Sequence, residues 1–349
     1  MKIFFGSGLF LALLATVFSS DLCPPPELVK PCECVSGYVP VTYRCTHVLH
    51  KDSLQEMAEN SLDYPMHALM IEESSMPYMS TELVESKKME IVAIVRSSMI
   101  SFFDKPPTKN NSLKSFQLRD SRIFARDGLD LGAVRKRISD IIQFQRVNVK
   151  RIGDSFVTYV KNTLTQLTLE RGDIVRVHSE AFAKLTNLRI LSLAYNKIRQ
   201  IRTSMLPRCR TMYFLDLSVN KISELPEDIF SHLPQLKDVY LRGNQLKVFS
   251  STIFGRILDG MTTINLADNP LVCDCKMKWY TKKRRDPLMS LANVPYRFPF
   301  CIGAGVFSTP CLCECFEKFD TETQIANYCE INGICELEPE TELGQEINS

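Results

Sequence analysis

Thirteen cysteines and five histidines are the side chains of this 349-residue chain best suited to ligate metals or assist a nucleophile. The histidines are His47, His50, His67, His178 and His232, and none belongs to an H-x-x-x-H pair or stands beside a nucleophile motif. His47 and His50 adjoin Cys45, but zinc there would need further ligands at suitable spacing, and a solvated turn is the simpler reading. Gly303-Ala304-Gly305 is followed by the wrong residues for a phosphate loop, and no spacing singles out a carboxylate pair for hydrolysis. The expectation is a non-enzymatic protein with no catalytic residue, no metal and no cofactor.

The cysteines fall into two groups. Cys23, Cys32, Cys34 and Cys45 lie near one end, and Cys273, Cys275, Cys301, Cys311, Cys313, Cys315, Cys329 and Cys335 near the other, with Cys209 alone between. The close spacing of Cys311, Cys313 and Cys315 would suit a soft metal. In an oxidising compartment thiols pair instead, and eight can pair completely. That compartment is expected. Residues 1–20 read as a secretory signal: Lys2 precedes a largely apolar run from Ile3 to Phe18, and small Ser19 and Ser20 offer a cleavage site. The run ends at Asp21, no other stretch approaches the roughly 20 apolar residues of a membrane span, and the acidic tail from Glu336 lacks an anchor signal. A secreted, extracellular, unanchored chain is predicted, with N-glycosylation on Asn110 of Asn110-Asn111-Ser112.

Between the cysteine groups one apolar pattern recurs. Leu188, Leu191, Leu193, Asn196 and Ile198 are followed by Met212, Leu215, Leu217, Asn220 and Ile222, then by Leu236, Val239, Leu241, Asn244 and Leu246. Leu164, Leu167 and Leu169 precede them, and Met261, Ile264, Leu266 and Asn269 follow. The starts at 164, 188, 212, 236 and 261 lie 24, 24, 24 and 25 residues apart. This is the leucine-rich-repeat pattern, in which a short strand is followed by an asparagine that bonds backbone groups of the turn. Looser units start at Met66, Met89 and Leu113, and a weaker one runs from Ile142 to Ile152; serine or another residue replaces the asparagine in them, so only apolar spacing supports them. The total is about nine repeats. Cys209 occupies the position held by Leu185 and Leu233 in neighbouring units, which makes it a buried free thiol of the core.

The fold expected is an α/β solenoid: a leucine-rich-repeat horseshoe with a parallel concave β-sheet and a disulfide-bonded cap at each end. The chain divides into a signal peptide (1–20), an N-terminal cap (21–65), repeats (66–272), a C-terminal cap and appendix (273–335) and an acidic tail (336–349). The caps carry recognisable text. Cys23-x8-Cys32-x-Cys34-x10-Cys45 resembles the N-terminal cap of secreted leucine-rich-repeat proteins, and Asn269-x3-Cys273-x-Cys275-x3-Trp279 resembles the opening of their C-terminal cap. The stretch from Cys23 to Cys34 is similar to a group of secreted arthropod members that includes a non-catalytic subunit of a luciferase complex, a resemblance covering residues 21–310. Sequence alone leaves three connectivities open for four cysteines. The resemblance implies Cys23–Cys34 and Cys32–Cys45, pairs Cys273 with Cys301, and leaves the partner of Cys275 open among Cys311, Cys313 and Cys315. It implies no luciferase activity, because the catalytic partner in that system is a separate, unrelated chain.

Where would a partner bind? Side chains alternate along a strand, so the residues between the leucines line the concave face. One column reads Met70, Ala93, Gln117, Gln143, Thr168, Ser192, Asp216, Tyr240 and Asn265, and the next runs from Glu72 to Ala267. Tyr195, Phe214, Asp216, Tyr240 and Arg242 are the candidate contacts for an extracellular protein partner, since tyrosine and arginine dominate interface energetics. A net charge of +2 argues against nucleic acid. The local exception is the cluster Lys276, Lys278, Lys282, Lys283, Arg284 and Arg285, which could hold a sulfated glycan in an alternative role as a matrix component.

Overall fold

The computed structural model describes residues 22–36, 40–105, 112–124, 140–153, 163–255 and 257–271. Sixteen strands are found among them. They are β1 (Cys32–Val35), β2 (Thr42–Thr46), β3 (Ala68–Glu72), β4 (Ser75–Met76), β5 (Ile91–Val95), β6 (Ser98–Met99), β7 (Ser115–Arg119) and β8 (Arg122–Ile123). The series continues with β9 (Ile141–Gln145), β10 (Arg151–Ile152), β11 (Gln166–Glu170), β12 (Arg176–Val177), β13 (Ile190–Ser192), β14 (Phe214–Asp216), β15 (Asp238–Tyr240) and β16 (Thr263–Asn265). One eleven-stranded sheet runs β1-β2-β3-β5-β7-β9-β11-β13-β14-β15-β16, antiparallel only at the β1–β2 hairpin. The structure is thus a solenoid with a parallel concave sheet.

Register follows the leucine spacing. Leu69, Val92, Phe116, Ile142, Leu167, Leu191, Leu215, Val239 and Ile264 face one another across nine consecutive strands, and all are buried. No unit could bury this face alone; stacking turns nine edges into one core. The returning segments carry short helices, α1 (Lys51–Asn60), α2 (Thr81–Ser86) and α3 (Ser251–Phe254). Ser80 caps α2 by accepting the Leu83 N–H, and Ser250 caps α3 by accepting the Thr252 N–H.

The turn after each strand is held by a polar ladder. The Asn196 Oδ1 accepts the N–H groups of Gly172 and Ile174 at 3.0 and 3.1 Å, and its Nδ2 donates to the Leu169, Leu193 and Ala194 carbonyls. Asn220, Asn244 and Asn269 repeat the arrangement. In the earlier units serine performs it. Ser97 Oγ donates to the Val95 carbonyl at 2.7 Å and accepts the Ser74 N–H at 3.1 Å, and Ser74 and Ser121 do the same one rung away. Two rungs between the series, Val147 and Gly172, have no polar side chain at this place. A Cβ at Gly172 would sit 3.0 Å from the Val147 carbonyl oxygen, so the close approach of adjacent rungs favours glycine there.

The N-terminal edge is sealed by the β1–β2 hairpin, in which Cys32 faces Cys45. Cys23–Cys34 and Cys32–Cys45 are the disulfides among the described residues, the pairing the resemblance implies. Tyr43 lies fully buried between them and the first repeat. Replacing Cys32 and Cys45 by alanine is expected to cost about 2–5 kcal/mol. Thermal melts of that variant and of the reduced wild type should agree in falling well below the oxidised protein. Cys209 is a buried free thiol, its Sγ 3.5 Å from the Leu188 carbonyl.

Candidate functional site

The open face of the sheet is the candidate interface, and strand register sets its columns. Met70, Ala93, Gln117, Gln143, Thr168, Ser192, Asp216, Tyr240 and Asn265 are consecutive partners. Phe214, Asp216 and Tyr240 share the floor of the later repeats, all half-buried. The Phe214 and Tyr240 rings touch, centroids 5.4 Å apart and tilted by 40°. Asp216 turns one oxygen inward, where Oδ1 accepts the Ser218 N–H at 2.8 Å. Asn265 plays the same part for the Ala267 N–H two strands away, at 3.1 Å.

Tyr195 and Arg242 stand at the rim instead. Tyr195 adopts φ 56°, 44% of its surface is exposed, and the Arg171 guanidinium lies 3.7 Å above its ring. Arg242 Nε donates to Asp268 Oδ2 at 2.7 Å. This rim is a feature the repeat pattern does not announce. His47, Glu73, Arg96, Asp120, Arg146, Arg171, Tyr195, Val219, Gly243 and Asp268, one per rung, all have φ between 47° and 65°. Glycine suits that conformation, yet only one rung uses it. Several of the others spend their side chains on contacts along the rim: His47 Nε2 lies 3.4 Å from Glu73, and Glu73 with Arg96 and Asp120 with Arg146 form ion pairs. His47 is thus an exposed turn residue.

Burial shapes the electrostatics of the floor. It pushes the Glu170 carboxyl above the ordinary range; the 2.6 Å bond from Ser192 Oγ opposes this, and the charge of Asp216 adds to it. Burial likewise raises Asp216, against the pull of its bonds to Ser218, and raises the Tyr240 phenol. For a carboxyl with a raised folded value, the native state holds more protons than the unfolded chain between the ordinary and raised values. Stability therefore falls as pH climbs through that window and is fully regained below it. Asp216→Asn keeps the acceptor for Ser218 and removes the buried charge, as Asn265 does naturally. Its melting temperature at neutral pH is expected to equal or exceed that of wild type, and its gain on acidification to be smaller. A clear loss at neutral pH would show that the charge is compensated.

Among the described residues, no three His, Cys, Asp or Glu side chains converge on a possible metal position, and no helix is long and apolar enough to cross a membrane. Cys273, Cys275, Cys301, Cys311, Cys313, Cys315, Cys329 and Cys335, the run Lys276 to Arg285 and the sequon at Asn110 lie outside the described residues.

The family model described as leucine rich repeat matches residues 162–222 and 210–271, the segments that form β11 to β16. The array is a leucine-rich-repeat solenoid. Toll-like receptor 9 of Mus musculus is 34% identical over 26% of this chain and 9% of its own length. Tsukushi of Gallus gallus is 33% identical over 31% of the chain and 27% of its own. Leucine-rich repeat and fibronectin type-III domain-containing protein 4 of Rattus norvegicus is 28% identical over 36% of the chain. The chain spans 9, 27 and 21% of the lengths of these three relatives. Among solved structures, a chain of the octameric complex of latrophilin 3, Unc5D and the leucine-rich-repeat FLRT2 superimposes with a TM-score of 0.53. The match covers 81% of this chain and 94% of that one at 17% identity, a likeness of fold.

Proposed function

We propose that this leucine-rich-repeat chain works outside the cell as a non-enzymatic binding module that holds a protein partner on its concave face. The observation that carries the reading is the aromatic floor of the later repeats. Phe214 and Tyr240 form an apolar anchor point on an open sheet, bordered by Tyr195, Asp216 and Arg242, the composition typical of interface hot spots. Two disulfides in the cap suit an oxidising compartment. Of the relatives named above, one is a Toll-like receptor and one joins leucine-rich repeats to a fibronectin type-III domain, and one structural neighbour was solved inside a protein complex. The resemblance to a non-catalytic subunit of a luciferase complex points the same way, toward a chain that stabilises another. Fold alone selects no partner.

The test is a crosslinking pull-down from the native secretion, comparing wild type with Tyr240→Ala/Arg242→Ala. A partner captured by wild type and lost by the double variant supports the concave face. A partner retained by both moves the interface to the caps or the convex side, and the absence of any partner removes this reading.

A further inference from the structure

Elsewhere on this sheet and its rim, several carboxylates are matched by cations of adjacent rungs. Glu72 accepts from Arg44 at 2.8 Å and from Arg96 at 2.9 Å, Asp120 from Arg146 at 3.0 Å, Asp268 from Arg242 at 2.7 Å and Asp173 from Lys197 at 2.7 Å. Asp216 and Asp238 break the habit. Neither makes an ion pair among the described residues, and the cations nearest to Asp238 in sequence are committed elsewhere: Lys237 Nζ donates to the Gly260 carbonyl at 3.0 Å, and Arg242 holds Asp268.

Register puts these two carboxylates in a defined figure. Phe214 pairs with Asp238, and Asp216 pairs with Tyr240, across adjacent strands β14 and β15. All four side chains alternate with buried Leu215 and Val239, so they rise from the same open face. The result is a square with aromatic rings on one diagonal and carboxylates on the other. Neighbouring strands lie about 4.8 Å apart, so a flat group laid on the touching rings has a carboxylate within reach at either end. That is the chemistry of a guanidinium seat. Arginine stacks on aromatic faces and presents a planar fork of charged donors to carboxylates, a combination no neutral side chain offers.

We infer that the square Phe214, Asp216, Asp238 and Tyr240 receives a basic side chain of the protein partner, arginine before lysine. This rests on the proposed concave-face binding and names what the partner presents. Burial that already raises Asp216 fits a carboxylate waiting for a counter-charge.

A displayed library of random twelve-residue peptides, selected on the full chain, tests the inference without the natural partner. Wild type is expected to enrich arginine-containing peptides. Their affinity should drop about tenfold or more on Asp216→Asn/Asp238→Asn, with an equal drop when the peptide arginine becomes citrulline and little further loss when both changes are combined. A melting temperature of the double variant no lower than that of wild type excludes misfolding as the cause. Selected peptides that lack basic residues, or that bind the asparagine variant as well as wild type, overturn the seat. If such peptides still lose binding on Tyr240→Ala, the concave-face reading survives; if they ignore Tyr240→Ala too, or if no peptide is selected, both fall.

Discussion

Asn220→Ala is expected to destabilise the repeats by about 3–5 kcal/mol, a large loss for a side chain buried beneath the turns and remote from any partner. The sum is built from individual bonds. Asn220 Oδ1 accepts the Ile198 N–H at 3.0 Å, and Nδ2 donates to the carbonyls of Leu193, Leu217 and Ser218 at 2.9, 3.1 and 3.2 Å. The carbonyls keep second partners: Asn196 serves Leu193, Asn244 serves Leu217, and the Tyr195 N–H serves Ser218. Alanine offers the buried Ile198 N–H no acceptor in place of Oδ1, and an orphaned buried donor costs about 1–3 kcal/mol. The two N–H donors of Nδ2, shared among the three carbonyls and worth about 1 kcal/mol each, supply the rest. Asn220→Ser should fall between, since Ser97 shows a hydroxyl making one accepted and one donated bond at this place. Asn220→Asp should be worse than alanine at neutral pH, because a carboxylate would face three carbonyls, and should recover in acid. Urea titrations of the four proteins decide it; equal losses for serine and alanine would show that packing, not the ladder, sets the cost.

That comparison also marks where reading the sequence succeeds and where it stops. The strands are legible because two periods coincide: leucines alternate within a strand and recur every 24 residues, so register and core follow from one count. Serine at positions 74, 97 and 121 reads as a missing ladder in the sequence, yet the shorter hydroxyl reaches both the carbonyl two residues back and the N–H of the rung before. The left-handed column is invisible for a different reason. Its residues include histidine, glutamate, arginine, tyrosine and valine, types with no shared preference for positive φ, so the turn imposes the conformation on whatever side chain arrives. At the candidate site, Asp216 and Tyr240 emerge from a single column, whereas Asp238 belongs to the column of Phe214 beside it. Only the two columns together display the square. That Arg242 is tied to Asp268, and Tyr195 to Arg171, depends on side-chain reach across rungs, which spacing does not encode.

Phe116→Ala is expected to cost about 3–5 kcal/mol, with about 0.5–1.5 kcal/mol more for each aromatic pairing that it removes. Phe116 is fully buried and touches three rings: Phe102 edge-on at 5.6 Å, Phe103 at 5.5 Å and Phe144 at 6.0 Å. Phe144 also stacks on Phe102 at 5.6 Å, so the four rings form a group joining the second, third and fourth rungs of the repeat array. This half of the array has serine rather than asparagine in its ladder, with fewer side-chain bonds per rung, and leans correspondingly on apolar packing. Phe116→Leu should restore much of the stability, because Leu167, Leu191 and Leu215 fill the equivalent place in later rungs. In a solenoid each unit packs only on its neighbours, so the damage should be local. Hydrogen exchange is expected to quicken at Ile91–Val95, Ser115–Arg119 and Ile141–Gln145 while Phe214–Asp216 and Asp238–Tyr240 keep their protection. Uniform quickening would mean instead that the rungs unfold as one unit, and that binding at the later repeats depends on packing far up the array.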